Sequence, residues 1–229
     1  MTAITHPRVP PRRGGVAGTW WSKAFLRAVE EAAFSTPELT RGRALARAGN
    51  VGSITVDGGT FIAAVFDRDD AFTVSGTVPV LSSADQSVLV ELIATETGRI
   101  GALMSGDLPH QLVEAVEEAG VELLPYGSEL GSTCTCQTWL DPCPHALAVL
   151  TQLAWLVQRD PFVLIQLRGL ARDDVLAGLH ALSRAAEPAP AGDASGAAPG
   201  PDEIDDLAIA EEAALRAARE LKLWREGAD

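Results

Sequence analysis

The chain has 229 residues, of which 47% are hydrophobic, 21% are charged and three are cysteine. This composition excludes a collagen-like, disulfide-rich or wholly disordered chain, and the length allows one domain with appendages. The net charge of −13 does not attract a polyanion over long distances, so any contact with nucleic acid must be local. The apolar runs are too short to cross a bilayer and no secretory signal is readable, so we expect a cytoplasmic protein with no membrane contact.

The N-terminal third of the chain predicts an arm, a helix and the start of a sheet. Residues 1–17 contain three prolines and three arginines without a hydrophobic period, which predicts a flexible basic arm. Apolar residues at helical spacing predict a helix from Gly18 to Phe34, with Trp20 and Trp21 anchored in the core. Between Arg41 and Val80 the period changes to two, which predicts an antiparallel β-meander of three or four strands.

The first part of this region is rich in arginine. Residues 41–48 have helical propensity, but Gly42 and Gly49 and the strands that follow favour an extended conformation. In an extended chain, one face carries a basic strip formed by Arg41, Arg43 and Arg47. Three more arginines lie in the arm, namely Arg8, Arg12 and Arg13. These side chains either bind nucleic acid directly or pair with the acidic remainder of the chain, and the sequence does not decide between the two.

Helical patterns return after the meander and again at the C-terminus. Two helices are predicted over Ser82–Thr95 and Leu108–Ala119. Residues 186–201 are rich in Pro, Ala and Gly and predict a flexible linker. Residues 202–229 predict an acidic amphipathic helix that docks either on this protein's own body or on a partner. The partner-binding candidates on its apolar face are Leu207, Leu221 and Trp224.

All three cysteines lie within ten residues of one another, and a histidine follows them. Cys134 and Cys136 form a C-x-C pair, and Cys143 and His145 form a C-x-H pair. Three thiolates and one imidazole suit a tetrahedral zinc ion, with Trp139 placed to cover it. A thiol redox switch and an iron–sulfur cluster use the same residue types and remain alternatives.

The spacing Cys-x-Cys-x6-Cys-x-His, with a central tryptophan and an apolar helix after the histidine, resembles the SWIM zinc finger. The resemblance implies a short β-hairpin followed by a helix. It also implies one structural zinc ion, held by Cys134, Cys136, Cys143 and His145. A basic residue often stands between the last cysteine and the histidine of such fingers, and this chain has Pro144 there.

The flanking sequence extends the resemblance to a bacterial family of SWIM-finger proteins over roughly residues 18–180. The matching motifs are Trp20-Trp21, Arg41-Gly42-Arg43 and Asp160-Pro161-Phe162. Members of that family are often associated with a Swi/Snf-type helicase, and SWIM fingers are generally assigned to DNA binding or protein interaction. The resemblance therefore implies a partner in DNA- or RNA-handling machinery.

Together these features predict an α+β protein. The β-meander with its packed helices is expected in residues 18–130, and a ββα SWIM zinc finger with further helices in 131–185. Four protein ligands close the metal site and no catalytic motif is present, so we do not expect an enzyme. Our interpretation is a zinc-binding interaction adaptor. The alternatives are direct nucleic-acid binding through the N-terminal arginines and thiol redox sensing.

Overall fold

The computed structural model describes residues 3–12 and 18–186. These residues belong to one compact unit with eight α-helices and one five-stranded antiparallel sheet, an α+β fold as the sequence predicts. The predicted linker and C-terminal helix, with Leu207, Leu221 and Trp224, follow Ala186 and lie outside the described residues.

The sheet contains the predicted meander and one further strand on each side. Its strands follow one another in chain order: β1 (Ile4–His6), β2 (Val51–Asp57), β3 (Thr60–Asp67), β4 (Asp70–Thr77) and β5 (Gly131–Cys134). Two-residue turns join β2 to β3 and β3 to β4, since Asp57 pairs with Thr60 and Asp67 with Asp70. Burial alternates along β3, so that one face of this strand is buried and the other is exposed.

Strand β1 corrects the prediction of a flexible arm for residues 3–12, the part of the predicted arm that the structure describes. Ile4 pairs with Val56 of β2 and His6 with Ile54, so Ile4–His6 is an edge strand of the sheet. Val9 is only 2% exposed and belongs to the buried core. The prediction missed this strand because three residues are too few to show a period of two.

The described residues form eight helices, one of which is buried along most of its length. They are α1 (Trp20–Ala32), α2 (Thr36–Arg47), α3 (Ser83–Ala94), α4 (Thr97–Met104), α5 (His110–Glu118), α6 (Pro144–Arg159), α7 (Pro161–Leu167) and α8 (Arg172–Ala186). Helix α6 packs against α1, α2 and the strands β2 to β5. No helix in the described part of the chain is long and apolar enough to cross a membrane.

The segment 41–48 is helical, and the prediction of an extended strand was wrong. Gly42 lies in α2 where this helix crosses α6, and a Cβ atom on it would come within 2.7 Å of Cβ of Leu147. The glycine therefore allows two helices to approach closely and is not a sign of a strand at this position. Farther along the crossing, Nε2 of the buried Gln152 donates to the carbonyl oxygen of Ala46 at 2.9 Å.

The predicted finger does not form a packing unit of its own. Strand β5 pairs with β4 of the meander, and α6 lies in the same core as α1 and α2. Residues on both sides of the predicted boundary at residue 130 therefore pack into one hydrophobic core.

Candidate metal centre

The metal centre lies between the end of β5 and the start of α6. Cys134 is the last residue of β5, and Cys136 follows two residues later. Cys143 is the N-cap of α6, and His145 lies in the first turn of that helix. Pairing of β5 with β4 and packing of α6 against the sheet bring the two halves of the motif together.

The ligand atoms of the four side chains lie close enough together to share one ion. Their ligand atoms all lie within 4.8 Å of one another, and Sγ of Cys134 is 3.8 Å from Nδ1 of His145. Ligand distances of about 2.0–2.3 Å in a tetrahedron place neighbouring ligand atoms about 3.5–3.8 Å apart. The predicted ligands therefore converge at one site and fit a zinc ion.

Cys143 and Pro144 have structural roles at the start of α6. Sγ of Cys143 accepts a hydrogen bond from the backbone N–H of Ala146 at 3.5 Å and so caps the helix. Pro144 occupies the first turn, where a missing N–H costs nothing and the fixed φ of proline suits the helix. A proline between the last cysteine and the histidine is thus compatible with the finger.

Residues from the meander and from α2 hold the side of the His145 ring that faces away from the cysteines. Nε2 of His145 lies 3.2 Å from Oδ2 of Asp67, and Nη2 of Arg41 lies 2.6 Å from the same oxygen. The ring of Phe72 stacks on the imidazole at a centroid distance of 4.3 Å. A proton on Nε2 would leave Nδ1 free to bind a metal, as in carboxylate–histidine–zinc arrangements. Hydrogen bonds from Arg41 and His145 hold the pKa of Asp67 below its usual value, which favours the carboxylate.

The three thiols differ in how readily they lose a proton. Burial raises the pKa of Cys134 to about 12 and also raises that of Cys143. Burial acts in the same direction on Cys136, but hydrogen bonds from His145 and from the backbone of Thr138 lower its pKa to about 7. Without a metal, Cys136 is therefore the thiol that ionises first. A bound cation favours thiolates at all three positions, and its binding releases protons.

Two details of the predicted finger differ in the structure. The expected β-hairpin does not form within the finger, because residues 136–143 form a loop, and β5 pairs with β4 of the meander. Trp139 lines the same cavity as the three cysteines, but its side chain is 80% exposed and is not buried over the metal site. Its ring instead packs edge-to-face against Phe34, with the centroids 5.4 Å apart.

The three arginines proposed for nucleic acid do not form a strip on a sheet. They lie on α2, where Arg41 pairs with Asp67 and Arg43 pairs with Glu30. Arg47, at the end of the helix, is exposed. Sequence reasoning also missed Asp67 as a neighbour of the metal centre, because its position next to His145 depends on a contact across 78 residues.

Three cysteines and one histidine at one site, beside a capped helix, are a ligand set typical of a zinc finger. The family model of the SWIM zinc finger matches residues 117–154, which include all four candidate ligands. The chain thus carries a SWIM zinc finger, and this supports a zinc-binding role.

The comparison with curated proteins gives a relative from Mycobacterium tuberculosis, the uncharacterized protein Rv2102. It is 33% identical over 183 residues, which make up 79% of this chain and 65% of the relative. The chain therefore spans slightly less than two thirds of the relative's length. No solved structure matches the chain.

Proposed function

We propose that this protein is a non-enzymatic interaction adaptor in which one zinc ion organises the finger. The observation that carries this proposal is the convergence of four protein ligands at one site. Four ligands fill a tetrahedral zinc ion and leave no position for a water molecule or a substrate. The ion would then contribute structure, and function would reside in the surfaces that it orders.

A pair of aromatic side chains beside the finger supports a role in binding. Phe34 is 66% exposed and Trp139 is 80% exposed, and their rings are in contact. Large exposed aromatic residues are costly in water and are enriched at protein interfaces. Trp139 lies in the loop between Cys136 and Cys143, so metal binding at the loop ends would hold this side chain in place.

The partner that we propose is a protein of nucleic-acid-handling machinery in the cytoplasm, such as a Swi/Snf-type helicase. This choice follows from the resemblance of the finger and its flanking motifs to the bacterial SWIM-finger family. The exposed aromatic pair would supply the apolar centre of the interface, and the charged residues around it would supply the rim.

Purification of the tagged full-length protein from its native cell tests the proposal. The variants are Trp139→Ser and, as a matched control, Met104→Ser, which removes another large exposed side chain. Zinc content is measured for each preparation, and the proteins that co-purify in stoichiometric amounts are identified.

The proposal expects a helicase or polymerase subunit with the wild type and with Met104→Ser. The same subunit should be lost from Trp139→Ser while the zinc content stays the same. A wild-type preparation without any such subunit, or equal recovery with both variants, would contradict the proposed interface.

A further inference from the structure

Four arginines lie together at one corner of the fold, away from the cysteines of the finger. The N-terminal segment passes the C-terminal ends of α2 and α6 there. We refer to these residues as the basic corner: Arg8, Arg12, Arg47 and Arg159.

Direct contacts connect the arm to the end of α2. The backbone N–H of Arg12 donates to the carbonyl oxygen of Arg47 at 2.8 Å. Nε of Arg8 donates to the carbonyl oxygen of Gly49 at 2.7 Å, two residues farther along the chain. The ordered arm, which the sequence had predicted to be flexible, therefore fixes two of its arginines beside Arg47.

Contacts with α6 bring the fourth arginine into the group. The guanidinium of Arg12 lies 4.7 Å from the ring centroid of Trp155, which restricts its orientation. Arg159 follows Trp155 by four residues and therefore lies on the same face of α6. Burial lowers the pKa of Arg12, and the positive charge of Arg159 lowers it further, so the two guanidinium groups are electrostatic neighbours.

The basic corner lacks acidic partners in the part of the chain that the structure describes. There, no carboxylate oxygen lies within 4.0 Å of a side-chain nitrogen of its four arginines. Arg41 and Arg43, by contrast, are paired with Asp67 and Glu30. The nearby Asp160 uses Oδ1 to accept from the backbone N–H of Phe162 at 2.9 Å, which caps α7. Within the described residues, a protein with a net charge of −13 thus places four positive groups together without an acidic partner.

We propose that the basic corner binds the phosphate backbone of a nucleic acid. Guanidinium groups bind phosphate oxygens through paired hydrogen bonds, and contacts of this kind position a protein on nucleic acid without reading its sequence. Arg8, Arg47 and Arg159 are exposed, and Arg12 is held in place on Trp155. The site goes beyond the adaptor role, because it gives the chain a direct contact with nucleic acid outside the finger. It also replaces the predicted strip of Arg41, Arg43 and Arg47, of which only Arg47 remains.

Fluorescence anisotropy with a labelled 20-base-pair DNA duplex tests this site on the zinc-loaded, full-length protein. The test variant combines Arg12→Gln, Arg47→Gln and Arg159→Gln. The control variant combines Arg27→Gln, Arg68→Gln and Arg184→Gln, three exposed arginines elsewhere that produce the same change in net charge. Circular dichroism verifies that each variant is folded.

The salt dependence distinguishes the two variants quantitatively. A plot of the logarithm of the binding constant against the logarithm of the salt concentration has a slope of about −0.9 per phosphate contact. Four contacts predict a slope of about −3 to −4 for the wild type and the control, or roughly 100-fold weaker binding at 200 mM than at 50 mM salt. The test variant should retain a slope of about −1. Should it fold poorly, the single exposed change Arg47→Gln should still reduce the steepness of the slope by about 0.9.

Three results would overturn the proposal. One is the absence of duplex binding by the wild type at 50 mM salt, and another is an equal loss of affinity in the test and control variants. The third is displacement of the duplex by a 20-residue polyglutamate peptide at equal concentration, which would assign the basic corner to an acidic protein segment. None of these results bears on Trp139, so the adaptor proposal is tested separately.

Discussion

Oδ2 of Asp67 lies 3.2 Å from Nε2 of His145, and this contact joins the end of β3 to the metal centre. Arg41 of α2 binds the same carboxylate oxygen from the other side. The contacts therefore connect the finger to both the meander and α2, and they orient the imidazole so that Nδ1 faces the cysteines.

If Asp67 positions His145, then Asp67→Ala should weaken zinc binding about 10- to 100-fold, the range that such outer partners typically show. Competition with a chromogenic chelator measures the affinity. Nitrogen NMR of the His145 ring reports whether the proton remains on Nε2. Asp69→Ala, an exposed change in the neighbouring turn, serves as the control. Unchanged affinity and an unchanged tautomer in Asp67→Ala would mean that the contact is incidental.

Metal removal should affect the finger loop more than the helix behind it. Cys143→Ser, or treatment with a strong chelator, is expected to expose the amides of residues 134–143 to hydrogen exchange. The amides of α6 from Leu147 onward should stay protected, because this part of the helix is buried against α1, α2 and the sheet. Added zinc should restore protection in the chelated wild type and not in the variant. Loss of protection along the whole of α6 would show instead that the ion holds the core together.

The crossing of α2 and α6 should not tolerate a side chain at position 42. Gly42→Ala places Cβ within 2.7 Å of Cβ of Leu147 and 2.9 Å of the carbonyl oxygen of Pro144, so it should destabilise the fold by about 1–3 kcal/mol. Gly101→Ala is the matched control, since no heavy atom lies within 4 Å of its added Cβ. In helix α4 that change should stabilise the fold by up to about 1 kcal/mol. Urea unfolding measures both variants, and equal effects would refute the close-approach explanation.

Tryptophans in the core and in the finger loop should contribute very differently to stability. Trp21 is 3% exposed, and its Nε1 donates to the carbonyl oxygen of Val157 at 3.0 Å. Trp21→Ala should therefore cost about 3–5 kcal/mol. Trp139→Ser should change the free energy of unfolding by less than about 0.5 kcal/mol, because the side chain is largely in solvent. A large loss of stability in Trp139→Ser would mean that this ring packs onto the protein in solution.

The amino-acid sequence alone was sufficient for features that depend on local spacing. The apolar period of 3.6 located α1 to within about two residues at each end, and the period of two located the three central strands. The clustering of the four candidate metal ligands was also predictable, because C-x-C and C-x-H pairs place their donors on short segments of backbone. Chemistry confined to a few neighbouring residues can be read directly from their order.

Only the tertiary structure could decide features that depend on contacts between distant segments. Gly42 is compatible with a strand or a helix until its approach to Leu147 is known. Asp67 and His145 are 78 residues apart, and no local pattern signals that they meet. The same holds for the arginines, since Arg41 and Arg43 acquire acidic partners through packing. Arg12 and Arg159 are brought together without an acidic partner among the residues that the structure describes. The reason is physical: spacing along the chain sets which face a side chain occupies, whereas packing of whole elements sets which charges and rings it meets.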